Sequence, residues 1–442
     1  MTVSDDIFRI PIPRIERLAR LPIPDVERLL RVSKREVVLW LYFVGVLLVF
    51  YTTLTPWFLW PLHLKSQFLA FFPIAAAMLL SRTLSTPLFT RTDYQWPILT
   101  YCLCTFTIAL LNGRNINGFI GEVLMAYVFL SIFMLRHEDL MRLGDVLAQS
   151  LAFLLVPSIL CYFLYLGGFS IPHYPISMPD TNYSFENYRF FLLDDRFAMQ
   201  LVPRFHAVFL EPAHLAIACV TLLLAQVGQW RRWYNIVIIV ALIMSFSLAG
   251  YILMVYVLLA ASWMKGRAIV AKVVALVVAL SLGVMFVAFY NDGDNLVNEL
   301  ILQRMEVNDE GEMEGDNRVS DDFNKQFETF MQSDQVLTGV GYEKFQRTAQ
   351  GGNAGFRVFL YCNGFISLFM LLVFFGVMLS TSHNTRGKVV MLLFHAISFI
   401  PHAIPLRLYV FLPLYIVAFR EVMPLDGKPA EPQSLPIAHG TD

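Results

Sequence analysis

Stretches of about twenty mostly apolar residues recur along this chain, and they restrict what it can fold into. A stretch of that length crosses the hydrocarbon core of a bilayer as an α-helix, which satisfies its backbone hydrogen bonds internally. The 442 residues are 57% hydrophobic and 15% charged, whereas a typical soluble domain carries about 25% charged residues. The sequence therefore predicts an all-α, polytopic membrane protein.

The hydropathy pattern predicts about twelve membrane spans. Residues 234–264 are too many for one of them, because they would rise about 46 Å as a single helix against a core of about 30 Å. Their centre reads Ser-Phe-Ser-Leu-Ala-Gly-Tyr at 245–251, so we predict two short helices with a break there. The predicted spans are 37–55, 65–82, 96–112, 118–135, 147–167, 205–228, 234–248, 249–264, 268–290, 358–380, 388–403 and 405–420.

Basic residues mark the side of the membrane that faces the cytoplasm. The first 36 residues hold eight Lys/Arg. Further basic residues lie at 82–91, 136–142, 231–232, 265–272 and 386–388. With twelve spans all of these segments fall on one side, which predicts cytoplasmic termini. The membrane domain is then 37–420, and 421–442 forms a cytoplasmic tail.

Two loops are predicted to face the exterior, 168–204 and 291–357. The second holds six Lys/Arg against fourteen Asp/Glu, and such acidity is typical of an exterior loop. Within it, Phe323, Phe327 and Phe330 have helical spacing, so 321–332 is predicted to be a helix that packs on the membrane-embedded body.

The N-terminal segment 1–36 contains a repeat at an offset of eleven residues, Ile-Pro-Ile-Pro-Arg-Ile-Glu-Arg-Leu-Ala-Arg at 10–20 and Leu-Pro-Ile-Pro-Asp-Val-Glu-Arg-Leu-Leu-Arg at 21–31. Both copies have prolines at the start, followed by apolar and charged residues at helical spacing. We predict two amphipathic helices on the cytoplasmic membrane surface. Binding of a partner protein is the alternative.

Polar residues begin the predicted sixth span. The stretch 204–214 brings Arg204, His206, Glu211 and His214 to a membrane-helix end. Charged groups there cost free energy unless they face a partner, a ligand or water, which makes these four residues candidates for a functional site. The alternative is an Arg–Glu pair that only holds two helices together, with His206 packed in the core.

Further polar residues follow at the predicted outer membrane face. They are Arg318, then Gly339, Gly341 and Tyr342, then Asn353 and Arg357. Arginine matches phosphate oxygens in bidentate fashion, so the three arginines could hold a diphosphate while Glu211 or His214 acts as general base. The alternatives are a solvated loop charge at 318, a simple glycine turn at 339–342, and an interfacial anchor at 357.

In this order the motifs resemble those of the O-antigen polymerase and ligase superfamily, membrane glycosyltransferases of the GT-C type. The resemblance covers roughly residues 200–380. It includes Arg-x4-Phe-x-Glu-Pro at 204–212, the break at 245–251, Arg318, Gly-x-Gly-Tyr at 339–342 and a glycine-containing helix start at 353–364. The arginine that many members carry after the serine of the break is absent here.

The resemblance implies a bacterial inner-membrane enzyme with a periplasmic site that joins undecaprenyl-diphosphate-linked oligosaccharides, without metal or cofactor. It implies substrate-binding or catalytic roles for Arg204, Glu211, Arg318 and Tyr342, and it extends to Asn353 and Arg357. His214, as the alternative base, and His206, as a substrate-binding residue, are candidates from the helix start at 204–214 alone. Expected partners are the lipid-linked glycans, membrane lipids, a flippase and a chain-length co-polymerase. The net charge of −1 gives no indication of nucleic acid.

Polymerase and ligase are the two activities within this superfamily. Residues 343–364 hold no histidine, where ligases usually carry one, and this favours a polymerase. A transporter with a broken-helix site is the alternative from another class.

Overall fold

A computed structural model describes residues 33–85, 88–89, 95–111, 131–178, 183–194, 203–265, 275, 278, 290, 320–348, 355–381, 385–399 and 412–417. The predicted N-terminal helices, most of spans 118–135 and 268–290, and the candidates Arg318 and Asn353 lie outside these residues.

The described part of the chain is mostly helical. Its α-helices are α1 Lys34–Leu54, α2 His63–Thr83, α3 Gln95–Leu111, α4 His137–Leu166, α5 Pro212–Ala225, α6 Trp233–Met244, α7 Leu248–Met264, α8 Asp321–Met331, α9 Tyr342–Thr348, α10 Phe356–Ser380, α11 Thr385–Phe399 and α12 Leu412–Val417. Short 3-10 helices lie at Trp57–Leu62, Ser131–Met134 and Asp334–Val336.

Three of the described helices, α1, α4 and α10, are long and apolar enough to cross a membrane, and five shorter apolar helices accompany them. Helix α4 shows how such a helix divides its surface. Leu147, Leu151 and Leu155 are fully buried against the other helices, whereas Phe153 and Leu160 are 66% and 60% exposed. Large apolar side chains exposed in this way suit a lipid environment, and the apolar helices indicate a membrane protein.

Ion pairs bring the first turns of α1 and α4 to one end of the helical bundle, together with the residue that precedes α6. The pairs are Arg35 with Asp139 at 2.5 Å, Glu36 with Arg142 at 2.8 Å and Arg232 with Asp145 at 2.9 Å. Helix α4 begins at His137, ten residues before the predicted span 147–167. These ion pairs hold the polar first turns of α4 in place. Hydropathy alone does not detect them, because it counts charged residues only as unfavourable for a span.

The exterior loop predicted at 168–204 contains a small antiparallel sheet, so the expectation of an all-α fold is wrong there. Its strands, β1 Tyr174–Ser177, β2 Ser184–Asn187 and β3 Leu192–Asp194, are adjacent in chain order. The middle strand alternates as a half-buried strand does, with Phe185 and Asn187 buried and Ser184 exposed. Phe185 packs on Trp60, which anchors the sheet beside the loop that follows α1.

Three predicted helices need comment. The break between α6 and α7 is confirmed, and Phe246 within it has φ +45°. Helix α5 starts at Pro212, so the predicted span start at 205 is wrong, because Ala207 adopts φ +52° in a turn. Helix α10 is broken at Gly364, with φ +71° and ψ 176°, where a continuous span 358–380 was expected.

The helix predicted at 321–332 is confirmed as α8. Ser320 caps it, with its hydroxyl accepting the amide of Phe323 at 3.3 Å. Phe323 and Phe330 are buried and pack on Tyr361 of α10. The acidic loop therefore has an element that is fixed to the helical body.

Candidate functional site

Residues 203–211 form a buried, non-helical connection that touches four other elements. Tyr162 of α4 donates to the carbonyl of Pro203, and the Phe205 amide donates to the carbonyl of Met244 at the end of α6. The Leu192 amide of β3 donates to the carbonyl of residue 207 at 2.8 Å, and the amide of residue 57 donates to that of residue 208 at 3.0 Å. Irregular backbone in a membrane protein is tolerated where protein encloses it or where it lines a cavity.

Glu211 occupies the N-cap position of α5, with Pro212 as the first helical residue. Its side chain makes no capping hydrogen bond to the helix. Instead, Oε1 accepts a hydrogen bond from the hydroxyl of Tyr183 at 2.7 Å. The carboxylate therefore points toward the sheet, near the positive end of the helix dipole, which favours a negative charge.

His214 is the third residue of α5, on the same side as the end of α1. Its Nδ1 is 3.4 Å from the hydroxyl of Thr55, a long contact between two partly buried side chains. Thr55 ends α1 with φ +48°, a conformation that is uncommon for a non-glycine residue. Backbone outliers of this kind concentrate at functional sites, so the turn at 55 belongs with the candidate residues.

Arg204 is partly buried, and electrostatic interactions connect it with two neighbours. Its positive charge interacts electrostatically with Tyr251 in α7 and with His206. Asp194 of β3 and Glu211 also lie within reach of His206. One arginine and two carboxylates thus meet around the connection 203–211.

His206 has a structural place in this group. It is 2% exposed, and its Nδ1 is 2.6 Å from the carbonyl of Phe209, which can only accept, so Nδ1 carries the proton. Burial lowers the pKa of His206 to about 4, so the ring is neutral at pH 7. The ring stabilises the turn before α5, and we expect no direct contact with substrate.

The break between α6 and α7 adjoins this group. Ser247 caps α7 by accepting the Gly250 amide at 3.3 Å, and Ser245 donates to the carbonyl of Leu242 at 2.7 Å. A Cβ on Gly250 would lie 2.7 Å from that of Ala216 in α5, so α5 and α7 cross closely here. The two serines thus satisfy part of the backbone that the break frees.

The loop 335–341 is hydrogen-bonded into the break of α10. The amides of Val340 and Gly341 donate to the carbonyls of 361 and 362 at 2.9 and 3.1 Å, and the amide of Ile366 donates to the carbonyl of residue 337 at 3.0 Å. Gly339 and Gly364 have positive φ and face each other. A Cβ on either would lie 2.3 Å from backbone of the other segment. Glycine is therefore required at both positions by close backbone approach as well as by torsion.

Arg357 lies on the half of α10 that precedes this break. Its guanidinium donates to the side-chain oxygen of Asn324 in α8 and lies 6.0 Å from the ring centre of Phe327. Tyr342 begins α9 and is 41% exposed, with its ring packed beside Phe345. These two candidates share the cluster around α8.

The candidates thus form two groups. The structure brings Arg204, His206, Glu211 and His214 together, beside the predicted break at 245–251. It places Arg357 and Tyr342 around α8, and the contacts described for those two are with that cluster.

Sequence reasoning missed Thr55, Tyr183, Asp194 and Asn324. It included Gly364 in the motif at 353–364 but missed the helix break there, although the Asn-Gly pair at 363–364 is typical of a turn. Within the described residues, no group of three or more His, Cys, Asp or Glu could hold a metal ion.

The described fold defines a helical membrane protein with a small sheet beside its polar site. Comparison with protein families, with curated proteins and with solved structures finds no match.

Proposed function

We propose that this chain is an inner-membrane polysaccharide polymerase, which joins undecaprenyl-diphosphate-linked oligosaccharide repeat units at the periplasmic face. The observation that carries the proposal is the group Arg204, Glu211 and His214 on a protein-enclosed, non-helical segment at the start of an apolar helix. Ionisable residues at the end of an apolar, membrane-type helix mark functional sites by default. The resemblance of the motif order to that of the O-antigen polymerase and ligase superfamily supports the proposed reaction and substrate class.

The group has the chemistry that displacement of a diphosphate from a sugar needs. The acceptor hydroxyl oxygen attacks the anomeric carbon, and the bond from that carbon to the diphosphate breaks with its electron pair on the phosphate oxygen. Glu211, with His214 as the alternative, takes the hydroxyl proton. Arg204, with Arg318 from the acidic loop, stabilises the charge on the leaving diphosphate.

The proposed arrangement has twelve spans, cytoplasmic termini and a site open to the periplasm. The ion pairs of Arg35, Arg142 and Arg232 support it, because they gather three of the basic segments at one end of the bundle. The sheet and Glu211 adjoin the opposite end of α1, beyond Leu54. This is the end where lipid-linked sugars would arrive.

A cellular experiment tests the proposal. Arg204→Ala and Arg318→Ala are expected to shorten the polysaccharide to single repeat units at normal protein levels, because each removes a diphosphate contact. Arg189→Asn is the control, since Arg189 is an exposed turn residue with φ +69° that asparagine tolerates. Wild-type polysaccharide chain lengths in both alanine variants would contradict the proposed roles of Arg204 and Arg318.

A transporter is the second candidate, and the break at Gly364 is the observation that favours it. Transporter sites use interrupted helices whose freed backbone groups bind substrate or ions, in corresponding positions of two related halves. Both described breaks, at 245–247 and at 364, lie in the second half of the chain. The amides and carbonyls named at Gly364 are bonded to the loop 335–341. Consumption of lipid-linked donor separates the two functions, because a transporter moves its substrate unchanged.

A further inference from the structure

Tyr183 connects the sheet to the carboxylate of Glu211. It immediately precedes β2, and its ring stacks parallel to that of Phe185 at 6.2 Å between centres. Phe185 is fully buried beside Trp60 and His206, so the ring under Tyr183 is held by the 3-10 helix after α1 and by the connection 203–211. The hydroxyl therefore reaches Glu211 from a fixed platform.

The hydrogen bond from Tyr183 fixes one of the two carboxylate oxygens. Among the described residues, Tyr183 is the one that donates to this carboxylate, and it takes Oε1. Glu211 does not cap its own helix, so the backbone amides of α5 do not orient the side chain. A glutamate has three side-chain torsions with several staggered states each, and a base must lie within hydrogen-bond reach of its proton.

We infer that Tyr183 is a positioning residue for Glu211, which holds Oε1 so that Oε2 accepts the proton of the acceptor sugar hydroxyl. This inference rests on the proposed polymerase function. The hydroxyl of Tyr183 donates to Glu211 and does not transfer its own proton. Its contribution is to the orientation of the base, and so to turnover more than to substrate binding.

The test uses the full-length protein in liposomes, with lipid-linked repeat units extracted from a strain that lacks the polymerase. Tyr183→Phe is expected to lower kcat about tenfold and to change KM by less than about twofold. Glu211→Gln is expected to lower kcat by about 100-fold or more. The double variant should match Glu211→Gln alone, because the hydroxyl then has no base to orient.

Tyr174→Phe is the matched control. It removes a tyrosine hydroxyl from the neighbouring strand β1, where that hydroxyl accepts a hydrogen bond from Asn187 at 3.0 Å. Wild-type turnover is expected. If Tyr183→Phe fails to accumulate, Glu211→Asp tests the same contact from the other side by withdrawing the carboxylate about 1.5 Å, and a similar loss of kcat is expected.

The outcomes separate the inference from the function. Normal turnover in Tyr183→Phe or Glu211→Asp, with Glu211→Gln inactive, overturns the positioning role and leaves the polymerase intact. The positioning role is also overturned if the double variant loses kcat by the product of the two single losses, because the Tyr183 hydroxyl then acts independently of Glu211. Normal turnover in Glu211→Gln refutes the proposed base itself.

Discussion

The close contact between Gly339 and Gly364 makes a sharp prediction about how the loop 335–341 holds the broken helix α10. In Gly339→Ala the new Cβ would lie 2.3 Å from the carbonyl oxygen of Cys362 and 2.7 Å from the amide nitrogen of Asn363. Both atoms are backbone, so no side-chain rotation relieves the clash. The loop has to move away from the helix.

The expected cost follows from two contributions. A non-glycine residue in the left-handed region costs about 1–2 kcal/mol, and Gly339 has φ +79°. Withdrawal of the loop also weakens three backbone hydrogen bonds, made by the amides of Val340, Gly341 and Ile366, at about 0.5–1.5 kcal/mol each. We therefore expect Gly339→Ala to destabilise this region by roughly 3–6 kcal/mol.

Hydrogen exchange of the full-length protein in lipid nanodiscs measures this directly. Gly339→Ala is expected to remove protection at the amides of 340, 341 and 366. Gly364→Ala should do the same, since its Cβ would lie 2.3 Å from the carbonyl oxygen of Leu337. The two substitutions disrupt the same contact, so the double variant should lose little more amide protection than either single variant.

Gly376→Ala provides the control in the same helix. A Cβ on Gly376 meets nothing within 4 Å, so the change should be neutral or stabilise α10 by up to about 1 kcal/mol. Unchanged amide protection in both Gly339→Ala and Gly364→Ala would refute the proposed packing of loop and helix. Equal losses in all three variants would refute the argument from close approach.

Two further predictions concern stability. Asp139→Ala should lower the free energy of unfolding by about 1–3 kcal/mol, because the buried Asp139 carboxylate pairs with Arg35 at 2.5 Å. Asp145→Ala removes a more exposed pair with Arg232 and should cost at most about 1 kcal/mol. Equal costs in thermal unfolding would contradict this ranking. The pKa of His206 is about 4 when folded and about 6.5 when unfolded, so the unfolded state takes up the proton first, and wild-type stability should fall by up to about 3 kcal/mol as the pH drops from 6.5 to 4. His206→Asn keeps a donor for the turn and should lose that part of the pH dependence, and an unchanged slope in thermal unfolding against pH would contradict the assignment.

Local sequence patterns were sufficient to predict one helix and one helix break. Helix α8 follows from the spacing of three phenylalanines, and the α6–α7 break follows from helix length together with Ser245 and Gly250. Both features need only neighbouring residues.

The start of α5 was mispredicted because hydropathy does not distinguish a buried connection from a helix. Phe205, Val208 and Phe209 are as apolar as helical core residues, and their burial comes from contacts with α4, α6 and β3. The strands were missed for a similar reason. They are three or four residues long and depend on pairing with each other and on packing with Trp60.

The candidate site was predicted in part. The energetic cost of charge at a helix end identified Arg204, Glu211 and His214 without any structure. Their partners could not be found in this way, because Tyr183 is 28 residues from Glu211 and Thr55 is 159 residues from His214 along the chain. Such contacts are decided by tertiary packing.

The central claim is that this protein joins lipid-linked repeat units, with Glu211 and its neighbours as the catalytic site. Extension of extracted lipid-linked repeat units by the purified full-length protein in liposomes tests it, with polymer length and released undecaprenyl diphosphate measured together. We predict a ladder spaced by one repeat unit, one diphosphate released for each bond formed, and loss of both in Glu211→Gln and Arg204→Ala. Transport of the glycan without bond formation, or an undiminished ladder in both variants, would contradict the claim.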